Sequence, residues 1–403
     1  MPAQRFEVRF PDANVADLRQ RLGRTRLPPA SQRDPSGAAA GLDAAYLAEL
    51  LDYFRDGYDF RKQEAELNRF AHFRTNVRGT TLHYIHERGR GDAPLPLLLL
   101  HGFPDSVLRY RKLIPRLADP VAYGGDPRDA FDVVVPSLPG YGFSATIDKP
   151  GAWFQFGSLF HELMTGELGY ERFGVHGGDW GSTVGDQLAR SHPASVIGLH
   201  LTDVPFWRAF QKPRDASPAE AAYLKAMEGY LMDVGAYAAI QGTRPQTLAD
   251  GLNDSPAGLT AWLVDLFQRF SDSDGDVETR FDKDELLTNV ALYWFNESIG
   301  SSFLPYRDFT DAGIARWLAE KAKEWLDLAP APAGFALFPK DLSQPPKEWA
   351  ERFYDVKRWT SLPRGGHFAA LEEPDLLAGE IREFFRAFRE EEDAGAELAP
   401  VII

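Results

Sequence analysis

The fold of this chain is constrained most by several short apolar runs. Each run is followed by a glycine- or proline-rich turn and then by helix-compatible sequence. They lie in LPLLLLHGFPDS, FDVVVPSLPGYGFS, FGVHGGDWGS and VIGLHLTDVP, between about residues 80 and 205. Each run is too short for a helix, and continuous apolar character is typical of strands buried on both faces of a parallel sheet. The pattern therefore predicts an α/β fold with a mostly parallel central sheet flanked by helices.

The regions on either side of these strands have helical spacing instead. Residues 1–90 contain the amphipathic segments VADLRQRLGRTRLP and YLAELLDYFRDGYDFRKQEAELNRF, so we expect an N-terminal helical extension there. Residues 206–325 are again mostly helical, and one helix is predicted to begin with Ser255 as N-cap and Pro256 as its first residue. A helical block that interrupts a parallel sheet is interpreted as a cap over the core.

Strand character returns near the end of the chain, in AGFALFP and VKRWTSLP, before the amphipathic segment EPDLLAGEIREFFRAF. The predicted core is therefore divided in two by the cap. Its first part covers residues 91–205 and its second part residues 326–403.

The segment GGDWG places Asp179 between Gly177 and Gly181 at a strand-to-helix turn, in the spacing glycine-x-nucleophile-x-glycine. Flanking glycines allow a strained turn that presents the central side chain, and a helix N-terminus below it favours negative charge. An N-cap aspartate at an ordinary turn is the alternative for this motif alone. The companion motifs favour a presented carboxylate.

The first companion is the turn that follows LPLLLL. A tight turn at Gly102 can aim the backbone N–H of Phe103 at the same point as the N–H of Trp180, so that two donors form an oxyanion hole. We interpret His101 as a residue that organises this turn and not as a catalyst.

The second companion is His367, in PRGGHFAALEEP after the last strand. A histidine there completes the order nucleophile, acid, base that α/β hydrolases use, and we predict that it is the general base. Asp341 follows the strand that precedes it and is the favoured orienting acid. Asp203, at the end of VIGLHLTDVP, is the competitor for that role.

Together these motifs resemble those of microsomal-type epoxide hydrolases in the α/β-hydrolase superfamily. The resemblance extends from FRKQEAELNRFAHFRTNVRGTTLHYIHERG through HGFPDS, LPGYGFS and GGDWGS to LYWFNESIGSSFLPYR and RGGHFAALEEPDLLA. It implies that Asp179 attacks an epoxide to form an ester and that His367 with Asp341 activates the water that hydrolyses it to a vicinal diol. Many relatives of this type carry glutamate where this chain has Asp341.

The resemblance also implies two cap tyrosines that hold the epoxide oxygen. Tyr306 lies in SSFLPYRDF, and Tyr237 lies in VGAYAAIQGTRPQTL, before an Ile-Gln pair. Without the resemblance, either would be an ordinary buried aromatic among 14 tyrosines. The chemistry agrees with their assignment, since a saturated epoxide carbon calls for an ionised carboxylate as nucleophile and the alkoxide that leaves needs a proton donor.

Two other functions fit part of the pattern. A haloalkane or haloacid dehalogenase uses the same carboxylate ester, and there the indole N–H of Trp180 would bind the halide. Halide departs without a proton, so Tyr237 and Tyr306 favour the epoxide. A binding protein on a hydrolase fold would normally have lost a member of the triad, and all are present here.

Composition limits the ligands. The net charge of −15 argues against nucleic acid and anionic membranes, and we expect a small, hydrophobic, neutral epoxide and water as substrates. An aromatic pocket is expected from the aromatic residues Trp153, Phe206, Trp207 and Trp294.

Neither an organic cofactor nor a metal is expected. The chain has no cysteine, and in FSDSDGDVETRFDKDE the first position of a calcium loop would be Phe270. The first residues lack the apolar segment of a secretion signal, so a cytoplasmic location is expected. The oligomeric state is open, with a homodimer as one option.

Overall fold

The computed structural model describes residues 3–29, 41–149, 151–211, 213–310 and 327–397. A nine-stranded sheet runs through the described residues, with the spatial order β1-β2-β3-β5-β4-β6-β7-β8-β9. The strands are β1 (Gln4–Arg5), β2 (His72–Val77), β3 (Thr80–Glu87), β4 (Leu95–Leu100), β5 (Phe131–Pro136), β6 (Phe173–Gly177), β7 (Val196–Leu201), β8 (Ala329–Leu337) and β9 (Tyr354–Ser361).

The part of the sheet from β5 to β9 is parallel, as the apolar runs predict. Strands β5, β6 and β7 are buried along their whole length, which explains why these segments are apolar without alternation. Strand β4 lies between β5 and β6, so the order of the strands reverses there. Its last residue, Leu100, is paired with Gly177, the last residue of β6, and the turns after these two strands therefore lie side by side.

Helices cover the sheet and continue beyond it. The N-terminal segment contains α1 (Asp12–Leu22), α2 (Ala44–Asp52) and α3 (Phe60–Leu67), and the first part of the core contains α4 (Ile114–Ala118), α5 (Phe156–Glu162) and α6 (Trp180–Ser191). Between β7 and β8 lie α7 (Pro218–Asp233), α8 (Ala236–Thr243), α9 (Pro245–Asp254), α10 (Pro256–Phe270), α11 (Lys283–Phe295) and α12 (Leu304–Thr310). The second part of the core contains α13 (Lys347–Glu351), α14 (Ala369–Glu372) and α15 (Pro374–Glu397).

The N-terminal segment differs from the expectation, because it is not wholly helical. Strands β1, β2 and β3 pair antiparallel and add to the sheet beside β5. Strand β2 falls in sequence that we had assigned to the helical extension. It is joined to β3 by the two-residue turn Arg78-Gly79, in which both residues have positive φ. Arginine is not a usual residue at such a position, which is why the hairpin was missed.

The helical block predicted after β7 is present. Helix α10 begins as predicted: Pro256 is its first residue, and the Ser255 hydroxyl accepts a hydrogen bond of 3.0 Å from the Gly258 N–H. The predicted end of the cap, at residue 325, lies outside the described residues. Within the described ranges, no helix has the length and apolar character needed to cross a membrane.

Candidate active site

Asp179 is at the turn between β6 and α6, in a backbone conformation that side chains rarely adopt. Its φ is 56° and its ψ is −129°, and such a conformation costs about 1 to 3 kcal/mol in a residue other than glycine. Gly181 makes the tight turn possible, because a Cβ at this position would collide with the carbonyl oxygen of Leu100 at the end of β4. The turn therefore has the geometry of the predicted nucleophile elbow.

The carboxyl group of Asp179 faces the turn after β4. The Phe103 N–H donates a hydrogen bond of 2.8 Å to Asp179 Oδ1. Burial raises the pKa of Asp179 above its usual value, and hydrogen bonds from the N–H groups of Phe103 and Trp180 oppose that rise. Both predicted oxyanion donors thus converge on this one carboxyl group.

His367 lies between two carboxylates. Its Nδ1 is 2.7 Å from Asp341 Oδ1, and its Nε2 is 3.8 Å from Asp179 Oδ2. Because an ionised carboxylate only accepts hydrogen bonds, Asp341 places the ring proton of the neutral histidine on Nδ1. Nε2 then carries a lone pair, and it has no hydrogen-bond partner among the described residues.

The charge of Asp341 also acts on the basicity of the ring. Burial lowers the pKa of His367, but Asp341 more than offsets this effect, so the pKa is raised above the usual value. A raised pKa makes His367 a stronger base once it is neutral.

Asp203, the competitor for the acid, contacts a different part of the site. It accepts a hydrogen bond of 3.2 Å from the Asp179 N–H and one of 3.0 Å from the Ser182 hydroxyl. Burial, together with the charges of Asp341 and Asp179, raises the pKa of Asp203 to about 8. The structure therefore brings Asp341 to the histidine ring and Asp203 to the backbone of the elbow.

The two predicted tyrosines lie on cap helices, Tyr237 on α8 and Tyr306 on α12. Their ring centroids are 5.9 Å apart, and both rings line the cavity that contains Asp179 and His367. Burial raises the pKa of each tyrosine well above its usual value, and the charge of Asp179 adds to this effect. Both hydroxyls therefore stay protonated and can donate a hydrogen bond.

The cavity in front of Asp179 has a volume of about 370 Å³. Most of its wall is apolar. The lining side chains other than those of the predicted catalytic residues include Phe206, Ala209, Leu224, Met227, Tyr230, Ala238, Phe309 and Leu342. Among the described residues, no group of three histidine or acidic side chains is arranged to bind a metal ion.

The four aromatic residues predicted for the pocket have different positions. Phe206 lines the cavity, and Trp153 packs behind Trp180 with ring centroids 5.3 Å apart. Trp153, Trp207 and Trp294 are not among the residues that line it, and this part of the prediction is corrected. Trp207 stacks on the Arg208 guanidinium, and Trp294, at the end of α11, faces a separate surface groove near α1. An aromatic side chain alone does not distinguish a pocket wall from these packing roles.

A buried ion pair that the sequence analysis missed connects two parts of the site. Arg109 pairs with Asp105 and also donates a hydrogen bond of 2.6 Å to the His367 carbonyl oxygen. Asp105 in turn accepts a hydrogen bond of 3.0 Å from the Gly102 N–H. The pair thus links the turn that carries Phe103 to the loop that carries His367. The spacing of an aspartate three residues after a turn glycine is a signal that could have indicated the first contact.

His101 has the turn-organising position predicted for it. Its Nε2 accepts a hydrogen bond of 3.1 Å from the Leu138 N–H, so the ring proton is on Nδ1. Nδ1 then donates to the Gly102 carbonyl oxygen at 3.0 Å. The side chain is buried and holds the turn, which confirms the interpretation.

Comparison with known families adds a second line of observation. The family model for the N terminus of epoxide hydrolases matches residues 3–110. The family model for the α/β-hydrolase fold matches residues 96–240. The two matches join at the first core strands and together cover the chain from its N-terminal segment into the cap.

Individual relatives extend the match over almost the whole chain. Epoxide hydrolase 1 of Oryctolagus cuniculus is 34% identical in an alignment that covers 94% of this chain and 88% of that protein. The crystal structure of juvenile hormone epoxide hydrolase from the silkworm Bombyx mori has a TM-score of 0.84 at 28% identity and covers 97% of this chain and 95% of its own. The epoxide hydrolase of Aspergillus niger has a TM-score of 0.80 at 27% identity, with 97% of both chains covered.

These comparisons confirm the predicted α/β-hydrolase fold with a helical cap and an N-terminal extension. They do not favour the dehalogenase alternative, because the relatives that match along the chain are epoxide hydrolases. The chain is an epoxide hydrolase and belongs to the microsomal-type family of these enzymes within the α/β-hydrolase superfamily.

Proposed function

We propose that the chain converts an epoxide to a vicinal diol in two steps, through an ester on Asp179. One observation supports this most. The Asp179 carboxyl group lies in a single cavity with the Nε2 side of His367 and with the rings of two neutral cap tyrosines, Tyr237 and Tyr306. A nucleophile, a base and two acids are thus available to one bound molecule.

In the first step, the Asp179 carboxylate attacks an epoxide carbon. A C–O bond forms between Asp179 and this carbon while the bond from the carbon to the epoxide oxygen breaks. An ionised carboxylate needs no base for this displacement. The leaving oxygen would become an alkoxide, which is far more basic than a phenolate, so a tyrosine of raised pKa still transfers its proton.

In the second step, His367 takes a proton from water at Nε2, and the hydroxide attacks the carbonyl carbon of the Asp179 ester. Asp341 keeps the ring in the required tautomer and stabilises the imidazolium that forms. The tetrahedral oxyanion accepts hydrogen bonds from the N–H groups of Phe103 and Trp180, each worth about 3 kcal/mol in a transition state. Collapse of this intermediate breaks the bond between the carbonyl carbon and the substrate oxygen, and His367 returns its proton to that oxygen as the diol leaves. The proton that remains on the Asp179 carboxyl group balances the one given up by the tyrosine, so that the carboxylate and the neutral tyrosine are both regenerated.

The cavity wall favours a neutral, apolar epoxide. Apolar side chains offer no hydrogen bonds to replace those that a polar ligand makes with water. The wall therefore favours a ligand that is itself apolar. The acidic residues Asp179 and Glu228 are also among the lining residues, so an epoxide with a carboxylate substituent would meet like charge there. We therefore propose aryl and alkyl epoxides as the substrate class.

The activity is tested with folded protein and a panel of styrene oxide, phenyl glycidyl ether and cyclohexene oxide, without added metal. We expect diol from at least one of them. The ester is tested by a single turnover in ¹⁸O-labelled water, in which the label should enter the Asp179 carboxyl group and the diol should stay unlabelled. A labelled diol with unlabelled Asp179 would mean that water attacks the epoxide directly and would contradict the proposal.

A further inference from the structure

Glu372, at the end of α14, binds the backbone on both sides of His367. Its Oε2 accepts a hydrogen bond of 3.0 Å from the Gly366 N–H, and its Oε1 accepts one of 3.0 Å from the Phe368 N–H. The same Oε2 accepts a hydrogen bond of 2.8 Å from the N–H of Asp272, in the segment that follows α10 of the cap. One carboxylate therefore joins the histidine loop, residues 365–368, to the cap.

The remaining N–H groups of the histidine loop are bound from the cap side. The Gly365 N–H donates to Asp272 Oδ2 at 2.9 Å, and the His367 N–H donates to the Phe270 carbonyl oxygen at 2.8 Å. All four consecutive N–H groups of the loop thus have acceptors, and Glu372 supplies two of them. Losing its carboxylate would free the two peptide units that flank the histidine.

Glu372 and its neighbour in sequence, Glu373, bind different kinds of group. Arg280 and Arg364 are bound by the Glu373 carboxylate, at 3.1 Å and 2.8 Å. Glu372 is held by backbone N–H donors instead. Burial raises the pKa of Glu372 to about 7, although these donors and Arg280 oppose the rise. Because burial disfavours the ionised form, the Glu372 carboxylate depends on the N–H groups that bind it.

We propose that Glu372 is a positioning residue for the hydrolysis of the Asp179 ester, a role that rests on the two-step function proposed above. It fixes the backbone of the histidine loop, so that Nδ1 of His367 stays on Asp341 and Nε2 stays directed at Asp179. It hydrogen-bonds none of the groups assigned to ring opening among the described residues, so it acts on the second step through the histidine alone.

The test measures the two steps separately in the full chain, with styrene oxide as the probe. Rapid quenching followed by mass spectrometry of the peptide that contains Asp179 gives the rate constants for ester formation and for ester hydrolysis. For Glu372→Gln, in which an amide NH₂ replaces one acceptor oxygen, we expect hydrolysis to slow by roughly 10- to 100-fold, because small displacements of a catalytic group have effects of this size. Ester formation should stay within about threefold of the wild-type value.

A selective effect on ester hydrolysis also changes the steady-state constants in a characteristic way. When hydrolysis alone is slowed, the ester accumulates, and kcat and KM fall together while kcat/KM is unchanged. A general loosening of the fold would instead slow both steps. The matched control is Glu373→Gln, whose carboxylate binds guanidinium groups and not the histidine loop, and both of its rate constants should stay near those of the wild type.

Glu372→Asp serves as a second variant if the glutamine variant does not fold. It keeps the carboxyl group but is shorter by one methylene, and its hydrolysis rate constant should lie between those of the wild type and Glu372→Gln. Unchanged hydrolysis in a folded Glu372 variant, or equal slowing of both steps, would overturn the inference. Failure to detect any ester in the wild-type protein would instead overturn the proposed function, and the inference with it.

Discussion

Asp341 and Asp203 lie after the neighbouring strands β8 and β7, and both carboxyl groups are within the same buried region. They differ in what they bind. Asp341 accepts from the His367 ring, whereas Asp203 accepts from the Asp179 N–H and from Ser182. Replacement of each carboxyl group by an amide should therefore affect different properties of the enzyme.

We predict that Asp341→Asn slows hydrolysis of the Asp179 ester by about 10³-fold or more, while ester formation continues. An asparagine amide donates to Nδ1 and so places the ring proton on Nε2, which can then no longer accept a proton from water. The measurement is the accumulation of the ester after rapid quenching. Asp203→Asn is the matched control, and an ester that accumulates there and not in Asp341→Asn would assign the acid to Asp203.

Prediction from sequence was most effective for residues in rigid local motifs. Asp179 and His367 each follow two consecutive glycines in a short turn motif that is visible in the sequence. Tyr237 and Tyr306 have no such local motif, and only the family resemblance singled them out. The contacts of Arg109 and Glu372 join segments far apart in the chain, and no local pattern of sequence reports them.

At the scale of elements, the site depends on the close approach of the turns after β4 and β6. Gly102 and Asp179 are in direct contact across this junction, and a Cβ at Gly102 would collide with the Asp179 carboxyl group. The strand pairing that brings the turns together therefore leaves no space for a side chain at Gly102.

We predict that Gly102→Ala slows ester formation by roughly 10²-fold or more, because the added methyl group displaces the Asp179 carboxyl group from its position beside Phe103 N–H. Single-turnover kinetics and thermal unfolding check this. Gly251→Ala is the control, since it lies in helix α9 with open space around its Cβ position. It should leave the kinetics unchanged and stabilise the fold by about 0.5 to 1 kcal/mol. Wild-type kinetics in Gly102→Ala would contradict the role of this contact.

Strands β4 to β7 were predictable because each is a largely apolar run. Strands β1 and β2 were not, since both contain exposed residues and are defined by their partners. The positions of Trp207 and Trp294 likewise depend on which helices pack together. The local sequence indicates that a residue is buried, but it does not indicate which part of the protein the residue packs against.

For the molecule as a whole, buried histidines set a limit on stability in acid. His176 on β6 and His200 on β7 are fully buried, with their Nδ1 atoms 3.0 Å apart. Burial lowers the pKa of His200 to about 3, and that of His176 also lies well below its usual value. The fold therefore favours the neutral form of each ring.

It follows that the stabilisation linked to His200 is fully present above about pH 6.5 and is lost as the pH falls towards about 3. Its contribution to the slope of the unfolding free energy approaches about 1.4 kcal/mol per pH unit between these values. We predict that His200→Asn reduces this slope by that amount, as measured by urea unfolding between pH 6 and 4.5. The raised pKa of Asp203 contributes a slope of the opposite sign. Asp203 is present in both the wild type and His200→Asn, so its contribution cancels in the comparison. Equal slopes in the two proteins would contradict the prediction.

The cavity is lined by residues of both the core and the cap. The carboxylate and the histidine belong to the sheet-based core, whereas both tyrosines belong to helices α8 and α12 of the cap. In the proposed mechanism, the proton for ring opening comes from the cap, whereas the base that activates water for ester cleavage is a residue of the core. We therefore expect substitutions on α8 and α12 to change which enantiomer of an epoxide is opened and at which carbon, and to affect ester hydrolysis less. If the proposed roles hold, selectivity and hydrolysis depend on residues in different parts of the chain, and each property can be altered by substitutions at its own positions.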